Sequence, residues 1–172
     1  DWLLENVQVR DCIAYWVFPF DFDDFECEAG WSSGLSNAWC ACALYLGAVM
    51  ADTIGIPTAE YLELAQAALE YLFVPIADGG ALGGWTDGHI WFEEYPCGRG
   101  PATVLNGHLF VLDVLDLFAD STGIQKYRLW FEQGARAVVV HAVDFDTGYG
   151  SLYDQLRKVD KLGSHYHRLH WE

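Results

Sequence analysis

The sequence predicts a mainly α-helical domain, in which repeated helical hairpins form an incomplete α/α barrel, or toroid, with short β-strands or loops between them. The first observation is an internal repeat: ADTIGI at 51–56 recurs as ADSTGI at 119–124. The second is a pair of apolar helical segments in each repeat, and the third is the glycine- and aromatic-rich composition of the connections. Repeats of this kind are typical of helical arrays whose units bury apolar faces against one another.

Each repeat unit contains two predicted helices. In the first unit, apolar residues favour a buried helix over 35–52, and Gly55 breaks it. An apolar stripe at intervals of three and four residues then predicts an amphipathic helix over 59–74. The second unit repeats the plan, with helices predicted over 103–120 and 124–143.

Aromatic-rich segments at 14–20 and 84–92 favour short strands or extended loops between the hairpins. Two hairpins form only an arc of a toroid. Closing the ring requires more helices, which come either from a longer chain or from further copies in a homo-oligomer. We therefore expect residues 1–172 to be a single α/α-barrel-type domain belonging to a longer protein.

Composition and charge exclude several classes of protein. The hydrophobic content of 52% is too high for a disordered chain, and the formal net charge of −16 argues against nucleic acid and anionic membranes as partners. No run of eighteen apolar residues occurs, so no membrane span is predicted. Five cysteines without C-x-x-C spacing leave at least one thiol free and do not indicate a compartment.

The segment WFEEYPCGRGPATVLNGHL at 91–109 carries the most chemistry in the chain. It places two carboxylates and a tyrosine directly before a predicted helix. In an extended segment Glu94 and Tyr95 point to opposite faces, unless the bend favoured by Pro96 brings them together. Glu93 is then expected to support the site or to face solvent.

Three further segments are distinctive: GWSS at 30–33 precedes this one, and LYD at 152–154 and YHRLH at 166–170 follow it. Together with WFEEYP and VLNG they resemble the D-glucuronyl C5-epimerases, in that family's order and at roughly its spacing. Members of the family invert uronic acids inside glycosaminoglycan-type polysaccharides. The resemblance covers most of the chain from about Trp16 onward.

The resemblance implies an isomerase that converts D-glucuronate to L-iduronate within such a polysaccharide, with no organic cofactor. It also implies a catalytic helical domain of a larger protein in the secretory pathway or another extracytoplasmic location. Inverting C5 requires one group to remove a proton next to the substrate carboxylate and another to return a proton to the opposite face. A cation near the substrate carboxylate stabilises the charge that develops there.

By resemblance, Glu94 and Tyr166 are the opposed acid and base, supported by Tyr153 and Tyr95. The basic surroundings of Tyr166 favour its phenolate, whereas Asp154 next to Tyr153 favours a neutral hydroxyl. Arg157 is expected to hold the substrate carboxylate. The full set of expected substrate-binding residues carries aromatic, cationic or amide side chains: Trp31, Trp91, Asn106, Arg157, His167 and Arg168.

Three other functions remain open. A polysaccharide lyase removes the same C5 proton but then expels the 4-linked sugar. A glycoside hydrolase needs two carboxylates across the scissile bond, which Glu94 would form with Asp154 or Asp87. A non-catalytic saccharide-binding module would use the aromatic residues alone.

No metal is expected in the catalytic reaction. His167 and His170 have helical spacing, but a structural zinc needs two further ligands. The acidic run at 21–26 holds Asp21, Asp23, Asp24 and Glu26, so it is either a solvated turn or a structural calcium site.

Overall fold

The computed structural model describes residues 2–98 and 100–158. A short helix α1 (Trp2–Asn6) and a hairpin of β1 (Gln8–Arg10) and β2 (Ile13–Tyr15) come first. Helices α2 (Gly34–Asp52) and α3 (Ala59–Glu70) follow, then the antiparallel strands β3 (Leu82–Gly84) and β4 (Ile90–Phe92). Helices α4 (Leu105–Thr122) and α5 (Gln125–His141) complete the order. The prediction of a mainly helical fold is confirmed.

Two helical hairpins form the frame, as the internal repeat predicts. Helix α2 packs against α3, α4 packs against α5, and α2 joins the hairpins by packing against α4. The two hairpin turns share a left-handed glycine, Gly55 with φ of 74° and Gly123 with φ of 70°. Both glycines belong to the repeated ADTIGI and ADSTGI segments, so the repeat marks equivalent turns.

Two predicted helices end earlier than the apolar pattern suggested. The segment predicted over 59–74 changes from α-helix to a 3-10 turn at Tyr71–Phe73, and that over 124–143 changes at Ala142–Phe145. These turns tighten the ends of α3 and α5 and satisfy backbone groups there. The apolar pattern continues through both turns because their residues Tyr71, Leu72 and Phe145 are also buried.

The main core lies between the hairpins and the first strand pair. It combines small, aliphatic and aromatic residues, including Ala38, Ala41, Leu69, Leu115 and Phe118. Alanines on α2 and α3 allow the helix axes to approach closely, and the larger side chains of α4 fill the remaining space. The core therefore fixes α4 relative to the strands that lead into the candidate site.

Helix α2 also has an exposed apolar face. Its residues Trp39, Leu46, Val49 and Met50 are exposed. By length and composition α2 could cross a bilayer, a criterion that the core helices of soluble proteins also meet. The expectation that further helices close the ring remains a prediction.

His108 links three elements inside the protein. Its side chain is fully buried, its Nδ1 accepts the Phe92 N–H at 3.0 Å, and its Nε2 then donates to the Gly134 carbonyl at 3.2 Å. Burial lowers the pKa of His108 to about 3, so the ring is neutral at physiological pH. His108 thus ties β4 to both α4 and α5.

A disulfide joins Cys27 to Cys97, with Cα atoms 5.3 Å apart. It connects the turn after residues 23–25 to the segment that follows Tyr95. Cys12 is a free, exposed thiol, and Cys40 and Cys42 are free and half-buried in α2. Burial raises the pKa of Cys40 to about 11, so this thiol stays protonated within the packing of α2.

The disulfide joins residues 70 positions apart in the sequence. Restricting a loop of that length in the unfolded chain stabilises a protein by about 4 kcal/mol in the chain-entropy account. We expect the double variant Cys27→Ser/Cys97→Ser to lose most of this free energy in urea unfolding. Cys12→Ser is the control and should unfold with the wild-type midpoint. A wild-type midpoint in the double variant would contradict the prediction.

Candidate active site

Strand β4 delivers two consecutive carboxyl side chains into the protein interior. Glu93 and Glu94 directly follow Phe92, the last residue of the strand, and both are buried. Side chains alternate between the two faces of an extended segment, so the two carboxyl groups enter different surroundings. They therefore serve different purposes.

Glu93 is a structural residue. It is fully buried, and its Oε2 accepts the backbone N–H of Thr103 at 2.9 Å. Burial raises the pKa of Glu93 to about 8, against the opposing hydrogen bonds from Thr103 and Ala102. The carboxyl group is thus mostly protonated at neutral pH. Of the two positions expected for Glu93, facing solvent or supporting the site, the structure shows the buried one.

Glycine makes the Glu93 position possible. A Cβ atom at Gly83, on the neighbouring strand β3, would lie 2.9 Å from Glu93 Cγ. Thr103 adopts a left-handed conformation with φ of 51°, which is uncommon for a β-branched residue. The Thr103 N–H donates the hydrogen bond that Glu93 accepts, so the buried carboxyl group holds the strained backbone in place.

Glu94 lies in a cluster of tyrosine hydroxyls. The Tyr153 hydroxyl donates to Glu94 Oε2 at 3.4 Å, and the Tyr95 hydroxyl lies 3.3 Å from that of Tyr153. Burial, the charge of Glu94 and the neighbouring Tyr153 raise the pKa of Tyr95, so its phenol stays protonated. The two phenol hydroxyls and the Glu94 carboxyl group therefore form one hydrogen-bonded cluster.

The first turn of α4 forms the other side of this cluster. A Cβ atom at Gly107 would lie 2.6 Å from Glu94 Oε2, so only glycine allows the carboxyl group its position. Asn106, in the same turn, is buried, and its Oδ1 has no hydrogen-bond partner among the residues described. A buried amide oxygen without a partner is costly, so it is a candidate position for a hydrogen bond from a ligand or a water molecule.

Tyr153 is positioned by backbone pairing with the segment before α4. Its carbonyl accepts the Leu105 N–H at 3.0 Å, and Asp154 forms an antiparallel bridge with Val104. The Gln155 N–H donates to the Ala102 carbonyl at 3.1 Å. The LYD and VLNG segments, far apart in sequence, are therefore held next to each other.

An aromatic wall adjoins Tyr95. Phe25 stacks on the Tyr95 ring with centroids 4.0 Å apart, and the Trp31 ring lies 5.7 Å from it. Trp31 is half-buried and also stacks on Phe18 at 4.4 Å. The GWSS segment thus lies beside the tyrosine cluster, where a flat aromatic surface suits a sugar ring.

Comparison with known proteins accords with this geometry. The family description "D-glucuronyl C5-epimerase C-terminus" matches residues 10–172. The chain belongs to the D-glucuronyl C5-epimerase family. A curated relative, the D-glucuronyl C5-epimerase of Caenorhabditis elegans, is 34% identical over 125 residues, which cover 66% of this chain and 20% of the relative. The chain thus spans about a fifth of the length of that relative.

Two residues expected to bind substrate have other contacts in this member of the D-glucuronyl C5-epimerase family. The first, Trp91, is fully buried, stacked on His108 at 3.9 Å and on Phe145 at 5.7 Å. Its indole forms part of the core, so no face of it is open to a sugar. Trp31 is half-buried and stacks on Phe18 and Phe22, and its role in binding a sugar stays a prediction.

The second, Arg157, is engaged by acidic side chains. Its Nε and Nη2 donate to Asp154 Oδ2 at 3.1 and 2.9 Å, and its Nη1 donates to Asp24 Oδ2 at 3.0 Å. The guanidinium also lies 4.0 Å from the Phe25 ring centroid. In this state Arg157 ties Asp154, next to Tyr153, to Asp24, so a substrate carboxylate would compete with these two acids for the guanidinium.

Three of the expected site residues, Tyr166, His167 and Arg168, lie outside the described residues. The acidic run at 21–26 does lie within them. There, Asp24 pairs with Arg157, and Asp21 Oδ1 accepts the Ala29 N–H at 2.7 Å.

Sequence reasoning missed His108 and the importance of Glu93. A histidine within an apolar helical stretch and an adjacent pair of acids are each common on surfaces. The burial of Glu93 did have one signal in the sequence. Trp91 and Phe92, directly before it, are large and apolar and predict a strand that is buried on both faces. An acid that continues such a strand is expected inside the protein.

The raised pKa of Glu93 predicts how stability changes with pH. Between the unfolded pKa of 4.5 and the folded pKa of about 8, the folded chain binds more protons than the unfolded chain. Its free energy of unfolding therefore falls as pH rises through this window, by roughly 1 kcal/mol per pH unit from this group. Glu93→Gln should remove that dependence, so its stability relative to wild type should rise from pH 5 to pH 8. Urea unfolding across the window measures it.

Glu60→Gln, on the exposed surface of α3, is the matched control and should give curves parallel to the wild type. A Glu93→Gln curve that also ran parallel to the wild type would show that Glu93 is ionised in the folded chain.

Proposed function

We propose that this chain carries the catalytic residues for C5-epimerisation of D-glucuronate to L-iduronate within a glycosaminoglycan-like polysaccharide. The observation that carries the proposal is the buried Glu94 carboxyl group with the hydroxyls of Tyr153 and Tyr95 behind it. Membership of the family and the activity named for the Caenorhabditis elegans relative support it.

Glu94 would exchange the C5 proton on one face of the sugar ring. A hydrogen bond from the Tyr153 hydroxyl stabilises the Glu94 carboxylate, and the protonated Tyr95 phenol lies in the same cluster. The neutral state of Glu93 removes a like charge that would otherwise adjoin Glu94. These contacts set both the position and the charge of the group that takes or returns the proton.

The second face requires a separate group. By family resemblance this is Tyr166, with His167 and Arg168 as neighbouring cations. Trp31 would provide a stacking surface, and the Asn106 amide would bind a sugar hydroxyl. The chemistry proposed is proton transfer alone and needs no organic cofactor.

The glycoside hydrolase alternative has less support in the structure. Both carboxylates that could partner Glu94 are engaged elsewhere. Asp154 is fully buried and pairs with Arg157, and Asp87 contacts His89 and His141. Neither is free to act across a glycosidic bond.

The decisive experiment is to incubate the chain with heparosan, a glucuronate polymer, in heavy water. We expect deuterium at C5 and the appearance of iduronate, without chain cleavage. Unsaturated chain ends would instead establish a lyase. Binding without any deuterium exchange would identify a saccharide-binding module and contradict the proposal.

Glu94→Gln tests the assigned proton-transfer group. The amide is isosteric but cannot accept the C5 proton, so we expect turnover to fall by about 10²- to 10⁴-fold. Heparosan binding, measured by calorimetry, should be largely kept. Wild-type turnover in this variant would move the acid or base to another residue.

Gly107→Ala tests the close approach of α4 to Glu94. The added methyl would lie 2.6 Å from Glu94 Oε2 and 2.8 Å from its Cβ, so the carboxyl group must move. Displacement by about 1 Å can cost roughly 10²-fold in rate, so we expect at least a tenfold loss of turnover.

Gly47→Ala is the matched control for this substitution. Gly47 lies in α2, a Cβ atom there would have no neighbour within 4 Å, and alanine should stabilise the helix by about 1 kcal/mol. Its turnover should equal that of the wild type. Equal turnover in both glycine variants would show that Glu94 tolerates displacement.

A further inference from the structure

A second cluster of ionisable side chains lies at the far end of the β3–β4 hairpin. Asp87 and His89 belong to the turn between the strands, and His141 is the last residue of α5. The three side chains each offer one ligand atom, and these atoms all lie within 4.8 Å of one another. The cluster is separate from the tyrosine cluster around Glu94.

The contacts within this cluster are short and lie within ion-pair distance. Asp87 Oδ1 lies 3.0 Å from His89 Nδ1, and Asp87 Oδ2 lies 3.1 Å from His141 Nε2. Both ring nitrogens are shielded from solvent, yet neither has a hydrogen-bond partner in the described chain. The nitrogens therefore approach the carboxylate without directing an N–H at it.

This geometry is that of ligands around a common ion. In a tetrahedral zinc site with metal–ligand distances near 2.1 Å, neighbouring ligand atoms lie roughly 3.4 Å apart and off each other's donor axes. Asp87 makes its two contacts through different oxygens, at 3.0 and 3.1 Å, and one ligand atom from each of the three residues fits within 4.8 Å, so modest side-chain adjustment brings the three to that spacing. Two imidazoles and one carboxylate also form a donor set that zinc uses in proteins, with water as a fourth ligand.

The surroundings of His141 hold it in the state that binds a metal. Its Nδ1 lies 2.9 Å from Asp144 Oδ2. In the tautomer whose Nδ1–H donates to that carboxylate, Nε2 carries the electron pair that a metal ion binds. Trp85 stacks on the His141 ring, with centroids 3.8 Å apart and planes 2° apart. A carboxylate behind a ligating histidine is the usual outer partner in zinc sites.

One side of the cluster is open. A polar depression of about 210 Å³ is lined by residues of the turn and by Gln133 and Arg136 of α5. It provides room for a water ligand and a path for the ion. The net charge of −16 also favours the approach of a cation.

We propose that Asp87, His89 and His141 bind a divalent transition metal ion such as zinc, oriented by Asp144. The ion clamps the β3–β4 turn to the end of α5. Since β4 continues directly into Glu93 and Glu94, the clamp steadies the strand that carries the candidate proton-transfer group. The role assigned to the ion is structural and does not involve the sugar.

The test is calorimetric titration of the chelator-treated chain with Zn²⁺ alone. We expect one ion per chain at this site, and at least a tenfold loss of affinity in both Asp87→Asn and His141→Gln. Asp144→Asn should weaken binding by about 10- to 100-fold, because it removes the orienting carboxylate but no ligand. Circular dichroism of each variant confirms that it is folded.

Co²⁺ serves as a second probe, because its absorption spectrum reports the ligands. Intense visible bands without a thiolate charge-transfer band would support a tetrahedral nitrogen and oxygen site, and Cys40→Ser/Cys42→Ser should leave them unchanged. A thiolate band would place the ion on cysteines instead. That result, the absence of zinc uptake, or wild-type zinc affinity in Asp87→Asn and His141→Gln, would overturn the proposal.

Discussion

Two consecutive acids at the end of a buried strand must point to opposite faces, and the candidate site depends on how the protein meets this constraint. One carboxyl group is neutralised by burial and bonded to the Thr103 backbone. The other accepts a hydrogen bond from the Tyr153 hydroxyl, beside the hydroxyl of Tyr95. Without the first arrangement, the strand would bury two adjacent negative charges, which is prohibitively costly.

The helical frame serves this strand. His108 fixes β4 between α4 and α5, and the first turn of α4 provides the only kind of residue, glycine, that can lie against Glu94. The segment before α4 then pairs with the backbone on either side of Tyr153. Residues from three distant parts of the sequence are thereby brought together. Packing of the helices and strands, rather than the loops alone, fixes the positions of these side chains.

Much of the fold follows from local patterns. Helical periodicity and the ADTIGI repeat predict both hairpins, because each amphipathic face must be buried against the next helix. Contacts between residues that are far apart in the sequence do not follow from such local patterns. The Cys27–Cys97 link could not be chosen among five cysteines, and the cluster of Asp87, His89 and His141 joins a turn to a distant helix end. The family motifs located Glu94 and Tyr153, but Trp91 and Arg157 show that a motif position does not reveal burial or competing salt bridges.

The disulfide also connects the shape of the site to the redox chemistry of the compartment in which the chain matures. Cys97 follows Tyr95 by two positions, and Cys27 follows Phe25, on which the Tyr95 ring stacks, by two. Oxidation therefore locks together the two sides of that ring contact, and reduction leaves them joined by packing alone. A chain produced in a reducing cytosol would hold the same side chains but not this covalent brace. An inactive preparation of that kind would reflect its oxidation state rather than its sequence.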